Sequence, residues 1–158
     1  MALLAIGAAI VAPSMSSFFR GRVLNSEARR LLSLVHYSQS RAVAEGVPVV
    51  LWLDSRNAEY GLLVPAELAD QASPSPRYTL DQGLTLEIPS AEPAPASELG
   101  DESLGLPDAL PSIRFLPDGF LDEISVPRII IRQGREGALE LALTADRLSY
   151  EILPAKPS

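Results

Sequence analysis

The sequence predicts an α+β fold in which one long N-terminal helix packs on an antiparallel β-sheet or sandwich of about six or seven strands. Residues 1–46 have the spacing of a single helix, uncharged and largely apolar in its first half and amphipathic in its second. Residues 47–153 contain short apolar, β-branched runs separated by turn residues. The chain therefore divides into a helical stalk (1–46), a β-rich globular head (47–153) and a tail (154–158).

The first half of the stalk carries no charge between residues 2 and 19, and the first charged side chain is Arg20. An uncharged run of about 18 residues is at the threshold for a membrane-spanning helix. We therefore expect residues 1–19 to be membrane-embedded, with a kink rather than an end at Pro13. A cleaved signal peptide and a buried core helix are the alternatives. No Lys or Arg precedes the run, which disfavours a signal peptide, and the helical pattern continues past Phe19.

The second half of the stalk, residues 20–46, is predicted to be an amphipathic helix. Apolar residues recur at spacings of four, three, four and seven, which places them on one buried face. The residues of that face are Leu24, Ala28, Leu31, Val35 and Ala42, with Leu32 and Val43 widening it. The residues expected to face water are Arg22, Arg29, Ser33 and Ser40. Gly46, followed closely by Pro48, predicts the end of the helix.

The head is predicted to begin with a hairpin and to end in a meander of three antiparallel strands. Seven strands are predicted, at 49–54, 59–64, 84–88, 113–116, 124–133, 138–143 and 148–153, and 77–80 is a weaker candidate for a short strand. Residues 89–111 contain five prolines among small and acidic residues, a composition typical of a disordered surface loop with modest potential for partner contact. Trp52, the one tryptophan, is expected to anchor the core where helix and sheet meet.

The charge of the chain is divided unevenly. Its net charge is −7, yet residues 1–46 hold five arginines and two glutamates, a net +3, which leaves −10 on residues 47–158. An acidic head repels phosphate backbones, so nucleic-acid binding is disfavoured. The absence of cysteine excludes disulfides, thiol nucleophiles and cysteine-type zinc sites.

The sequence offers few candidates for chemistry. His36, the single histidine, would have to serve any Ser-His-Asp arrangement, but no G-x-S-x-G motif accompanies it. Asp118, Asp122 and Glu123 could supply oxygen ligands to Ca²⁺, although acids beside an Asp-Gly turn are more often a solvated hairpin end. We predict no catalytic, cofactor-binding or metal site, and expect that the protein is not an enzyme.

Two stretches resemble a known family. The first runs from Arg20 into the first predicted strand, where Ser40-Arg41-Ala42 is followed by Gly46 and Pro48-Val49. The second is IRFLPDG at 113–119. Both are similar to the GspH/FimT family of type II secretion pseudopilins and minor type IV pilins. The resemblance is good over 1–64, clear over 112–119, loose over 120–152 and absent over 65–111.

The resemblance implies a pilin-like fold and a minor pseudopilin-like structural subunit of a type II secretion machine that contributes to protein export. It implies a single-pass protein of the bacterial inner membrane with a periplasmic head and a methylated, processed N-terminus. The implied partners are other pilin or pseudopilin subunits, contacted through the N-terminal helix, the membrane, and an exported protein. A minor type IV pilin for attachment or DNA uptake is one alternative. A secreted β-rich binding module with a cleaved signal peptide is another.

One family feature differs at the N-terminus. The family begins with a basic leader, a Gly-Phe cleavage point and a Glu early in the mature helix, and none of these precedes Pro13. We expect a misassigned start codon or a trimmed chain. The only positive charges flanking the apolar run are Arg20 and Arg22, which alone would place the head in the cytoplasm. A basic leader would reverse that orientation, and translation of the upstream DNA tests for it.

Overall fold

The computed structural model of the protein describes residues 2–63, 75–89, 110–135 and 137–155, with side chains described from residue 21 onwards. Three predictions lie wholly or partly outside the described parts: the side chains of the membrane-embedded half (1–19), most of the loop 89–111 and the end of the tail. Among the residues with described side chains, no helical stretch combines the length and the hydropathy needed to cross a membrane.

A single helix, α1, spans Ala2–Glu45, 44 residues, as the pattern predicts. It ends where Gly46 adopts a left-handed conformation with φ of 69°. The N–H of Val47 then donates to the carbonyl of Ala42 at 3.2 Å, which satisfies a carbonyl left open by the last turn. Pro48 follows and cannot continue the helix.

Eight strands, all paired antiparallel, follow α1 in the described part of the chain, against an expectation of six or seven. They are β1 Val49–Asp54, β2 Glu59–Leu63, β3 Arg77–Thr79, β4 Leu84–Glu87, β5 Ser112–Phe115, β6 Arg128–Gln133, β7 Gly137–Leu143 and β8 Tyr150–Pro154. The first sheet has the order β3-β2-β1-β5 and the second the order β4-β6-β7-β8. The predicted first hairpin and final meander are confirmed, and with them the α+β class.

Two strand boundaries were predicted wrongly. The strand predicted over 124–133 begins only at Arg128, because residues 122–125 form a turn closed by the Ser125 N–H and the Asp122 carbonyl at 3.0 Å. Pro127, which has no N–H to donate, follows that turn. The strand predicted over 148–153 begins at Tyr150, because Leu148 belongs to a turn in which the Thr144 N–H donates to the Ser149 carbonyl.

The apolar stripe of α1 packs against both sheets and forms one core with their inner faces. All five residues predicted for that stripe are buried, and Leu32 is half-buried against the same core. Val43 was predicted wrongly, since 53% of it is exposed. It lies in the last turn of α1, next to the loop at Gly119.

Trp52 is buried as predicted, but on the other face of its strand. Val49, Leu51 and Leu53 point into the core, so the alternation along β1 turns Trp52 away from α1. Its ring lies over Gly61 of the neighbouring strand, and the Arg77 guanidinium stands 5.2 Å from the ring centroid. A Cβ on Gly61 would fall 2.6 Å from the indole and 2.7 Å from the Pro76 carbonyl oxygen.

We predict that Gly61→Ala lowers the free energy of unfolding by about 1–3 kcal/mol, because the added methyl overlaps both the indole and the Pro76 backbone, which cannot turn aside. Gly21→Ala is the matched control. Nothing lies within 4 Å of its added Cβ, and alanine in a helix interior should raise stability by about 0.5–1 kcal/mol. Urea unfolding followed by Trp52 fluorescence measures both, and equal stabilities would contradict the prediction.

Candidate functional site

The contact between α1 and the head is the candidate site, because it carries the polar groups that fix one to the other. Two groups of residues, joined by hydrogen bonds from α1, flank the apolar stripe. The Arg30 cluster comprises Glu27, Arg30, Tyr60, Tyr78 and Thr79, and the Gln39 clamp comprises Gln39, Gly119 and Leu148. Their centres on α1 are nine residues apart, about 14 Å along the helix axis.

In the Arg30 cluster, one guanidinium connects α1 to two strands of the first sheet. Its Nε donates to the Tyr60 hydroxyl at 2.9 Å, and its Nη2 donates to the Thr79 carbonyl at 2.9 Å. The same group lies 5.8 Å from the Tyr60 ring centroid and 5.4 Å from that of Tyr78, and the two rings stack with centroids 5.6 Å apart. Arg30 therefore holds the edge strand β3 as well as β2 against the helix.

Glu27 is the buried acid of this cluster. Only 3% of the residue is exposed, and its carboxylate accepts a hydrogen bond from Arg30 Nη2 at 2.7 Å. Burial raises the pKa of Glu27 above its usual value, and the negative charge of Asp81 adds to this rise, while Arg30 opposes it. Ionised Glu27 is therefore less stable in the folded protein than in water.

The Gln39 clamp joins α1 to two loops that follow different sheets. The Gln39 side-chain amide donates to the carbonyl of Gly119, between β5 and β6, at 2.7 Å and to that of Leu148, between β7 and β8, at 2.9 Å. Because one amide supplies both hydrogen bonds, the positions of the two loops depend on the same helical side chain.

The outer face of the second sheet carries two ion pairs. Arg128 pairs with Glu140 through two hydrogen bonds of 2.6 and 2.8 Å, and Arg132 pairs with Glu87 through bonds of 2.8 and 3.2 Å. These pairs satisfy the nearly buried Glu140 and link β4, β6 and β7 on the face away from the core.

The residues that the sequence singled out for chemistry lie on α1 and in the segment between β5 and β6. His36 is exposed on α1. Asp118 and Asp122 accept hydrogen bonds from the N–H groups of Phe120 and Ile124, both two residues further on, which is the role of a turn aspartate. Glu123 is exposed. Within the described ranges, no three His, Cys, Asp or Glu side chains are grouped so as to hold a metal ion.

The polar residues of the junction were not identified from the sequence. Glu27 lies three residues after Leu24 and four before Leu31, so helical spacing alone places it on the buried face. Its distance of three residues from Arg30 could have indicated an ion pair. No local pattern indicates that Gln39 reaches residues 80 and 109 positions away.

Comparisons with known proteins give one family and several structures. The model of the family described as type II transport protein GspH matches residues 27–151. Curated protein sequences give no match. A structure of the minor pseudopilin EpsH from the type 2 secretion system of Vibrio cholerae is similar at 15% identity with a TM-score of 0.57, covering 83% of this chain and 96% of that one. The Pseudomonas aeruginosa type IV minor pilin FimU is similar at 19% identity with a TM-score of 0.53, covering 88% and 92%.

We predict that Gln39→Ala lowers the free energy of unfolding by about 1–3 kcal/mol, because it removes two hydrogen bonds worth about 0.5–1.5 kcal/mol each. The exposed neighbour Ser40 supplies the control, since Ser40→Ala should change stability by no more than about 0.5 kcal/mol. Chemical denaturation measures both variants. Finding the two equally stable would show that the clamp contributes nothing.

We also predict that Glu27→Gln removes a pH dependence of stability. The folded state holds the Glu27 proton more tightly than the unfolded chain, so wild-type stability falls as pH rises from 4.5 through the raised pKa. The glutamine keeps an oxygen for Arg30 but does not titrate. The free energies of unfolding of both proteins are measured between pH 4 and 8, and the wild-type value is subtracted from the variant value at each pH. The contributions of the other titrating groups, which both proteins share, cancel in this difference. We expect the variant to become more stable relative to the wild type as pH rises. A difference that stays constant, or that falls with pH, would contradict the prediction.

Proposed function

Because the chain belongs to the GspH family of type II transport proteins, it is a pilin-like structural subunit, and we propose that it serves as a minor pseudopilin of a type II secretion machine. The family match, which covers residues 27–151, carries this proposal. On this proposal the protein contributes to export by assembling with other pseudopilin subunits, and its function requires no catalysis.

The proportions of the molecule support an assembly role. α1 has 44 residues, about 66 Å of helix, whereas the buried stripe from Leu24 to Ala42 spans about 27 Å. The described side chains of α1 thus hold the head over less than half of the helix length. We propose that the N-terminal part seats the subunit in the inner membrane before assembly and packs among neighbouring helices afterwards. The uncharged sequence from 2 to 19 fits both environments.

We propose a periplasmic head, available to neighbouring subunits and to an exported protein. A minor type IV pilin is the second candidate, because the FimU fold is nearly as similar to this one as the EpsH fold is. The net charge of −10 on residues 47–158 favours export over DNA uptake, since DNA carries the same sign.

Deleting the gene should abolish secretion of the proteins that depend on the type II machine, and the full chain should restore it. A chain without residues 1–19 should fail to sediment with membranes and fail to restore export, because it lacks the proposed anchor. Glu123→Gln, a change of one exposed charge, is the control and should restore export fully.

Three outcomes would count against the proposal. Normal secretion with loss of pili after deletion would assign the chain to a pilus. A mature protein that lacks residues 1–12 and is soluble without detergent would favour the secreted binding module. A measured enzymatic turnover lost on substitution of His36 or Asp118 in a folded protein would indicate an enzyme.

A further inference from the structure

The apolar stripe of α1 is wide enough to let the helix roll about its own axis. Val23 and Leu32 lie at its two margins, nine residues apart, and both are partly buried against the core. Nine residues make about 2.5 turns, so these two side chains leave the helix on opposite sides. A roll in either direction buries more of one side chain while it exposes the other. Hydrophobic burial, which is not directional, therefore gives little preference for one roll angle.

Arg30 and Gln39 are also nine residues apart and leave α1 on opposite sides. Leu31, which is fully buried, lies on the arc between them, about 100° from Arg30 and about 80° from Gln39. Both polar residues are half-buried, as expected of side chains at the edges of a packed face. The stripe therefore has one of these polar side chains on each flank.

The two side chains are fastened to different parts of the head. On one flank, Arg30 donates to the Tyr60 hydroxyl and the Thr79 carbonyl, each at 2.9 Å, and both acceptors belong to the first sheet. On the other flank, the Gln39 amide donates to two loop carbonyls at 2.7 and 2.9 Å. Both flanks of the helix are thus tied to the head by hydrogen bonds.

A small roll would break these hydrogen bonds on one flank at a time. At the outer radius of a helix, about 5–6 Å, a roll of about 20° moves a side-chain group by about 2 Å. A donor lifted by that much leaves the hydrogen-bonding range of acceptors that are now 2.7–2.9 Å away. A roll that lifts the Arg30 flank lowers the Gln39 flank, and the reverse. Each residue therefore resists roll in one direction.

We propose that Arg30 and Gln39 form an opposed pair of restraints that sets the roll of α1 relative to the head, and that a subunit needs this setting to enter a fibre. The assembly part rests on the proposed function. The roll angle decides which way the exposed side of the stalk, which includes Ser33 and His36, points relative to the head. A subunit whose helix packs among its neighbours then presents its head in one orientation.

The roll is tested by measuring one distance between two spin labels on the full chain in detergent. The chain has no cysteine, so Ser26→Cys on the stalk and Arg56→Cys in the turn between β1 and β2, both exposed, are its only labelling sites. In this background, Gln39→Glu replaces the amide donors with a carboxylate that repels the two carbonyls. Arg30→Met with Glu27→Gln removes the opposite restraint and leaves no buried carboxylate without its cation.

We expect the mean label distance to shift by about 2–3 Å in each of the two variants, and with opposite sign, because a different flank is released in each. Ser40→Ala, an exposed change on the same helix, should leave the distance unchanged. Gln39→Met removes both donors without adding a charge, and it takes the place of Gln39→Glu if the charged variant does not fold. An unchanged mean in either variant, or two shifts of the same sign, would overturn the proposal.

Entry into the fibre is tested in cells that carry the other pseudopilins. Sedimented fibres should contain several-fold less of the Gln39→Glu chain than of the wild type, each relative to its membrane pool. Gln39→Lys, which can donate to both carbonyls, should enter normally. Gly61→Ala is the control for stability, because its added methyl lies against Trp52, on the face of β1 and β2 turned away from α1. Equal entry of Gln39→Glu and Gly61→Ala would overturn the assembly part.

The two experiments separate this inference from the proposed function. If the wild-type chain is absent from fibres made of the other pseudopilins, the proposed function fails, and the assembly part of the inference fails with it. The label distances need no fibre, so they test the roll in either case. Wild-type chain that enters fibres, but whose label distance does not respond to the loss of either restraint, contradicts the inference alone.

Discussion

The head depends on the burial of the α1 stripe against two sheets at once. The inner faces of both sheets contribute to the same core, and Leu31 and Val35, each at most 1% exposed, help to complete it from the helix. Hydrophobic burial favours this arrangement without fixing the position of the helix along or around its axis. Directional contacts, such as hydrogen bonds, are needed to fix that position.

Polar groups at the junction between α1 and the head fix the position of the helix. Arg30 bonds to the first sheet, and Gln39 bonds to loops that follow both sheets, so sliding or rotating α1 would break hydrogen bonds at two separated points. Polar side chains on the buried face are also satisfied: Glu27 by Arg30, and Ser38 by the Leu34 carbonyl at 2.6 Å. A stalk held in this way fixes the orientation of the head relative to the helix.

The sequence predicted most of the architecture because its evidence is local. A period of 3.6 residues identified α1 and its five buried residues, and alternation identified the first hairpin and the final meander. The errors have equally specific causes. Residue type alone placed Trp52 in the core, although alternation along β1 turns it outward. The apolar run at Ile124 suggested a strand, but the turn preceding Pro127 excludes one.

The sequence by itself determined the class of fold, the bounds of the helix, the pairing of neighbouring strands and the resemblance to a family, since each follows from residues near one another in the chain. Only the tertiary structure decided where Gln39 bonds and which strands Arg30 joins to the helix. Those contacts join positions as much as 109 residues apart. Their geometry depends on how two sheets and a helix meet, and no short-range pattern in the sequence carries that information.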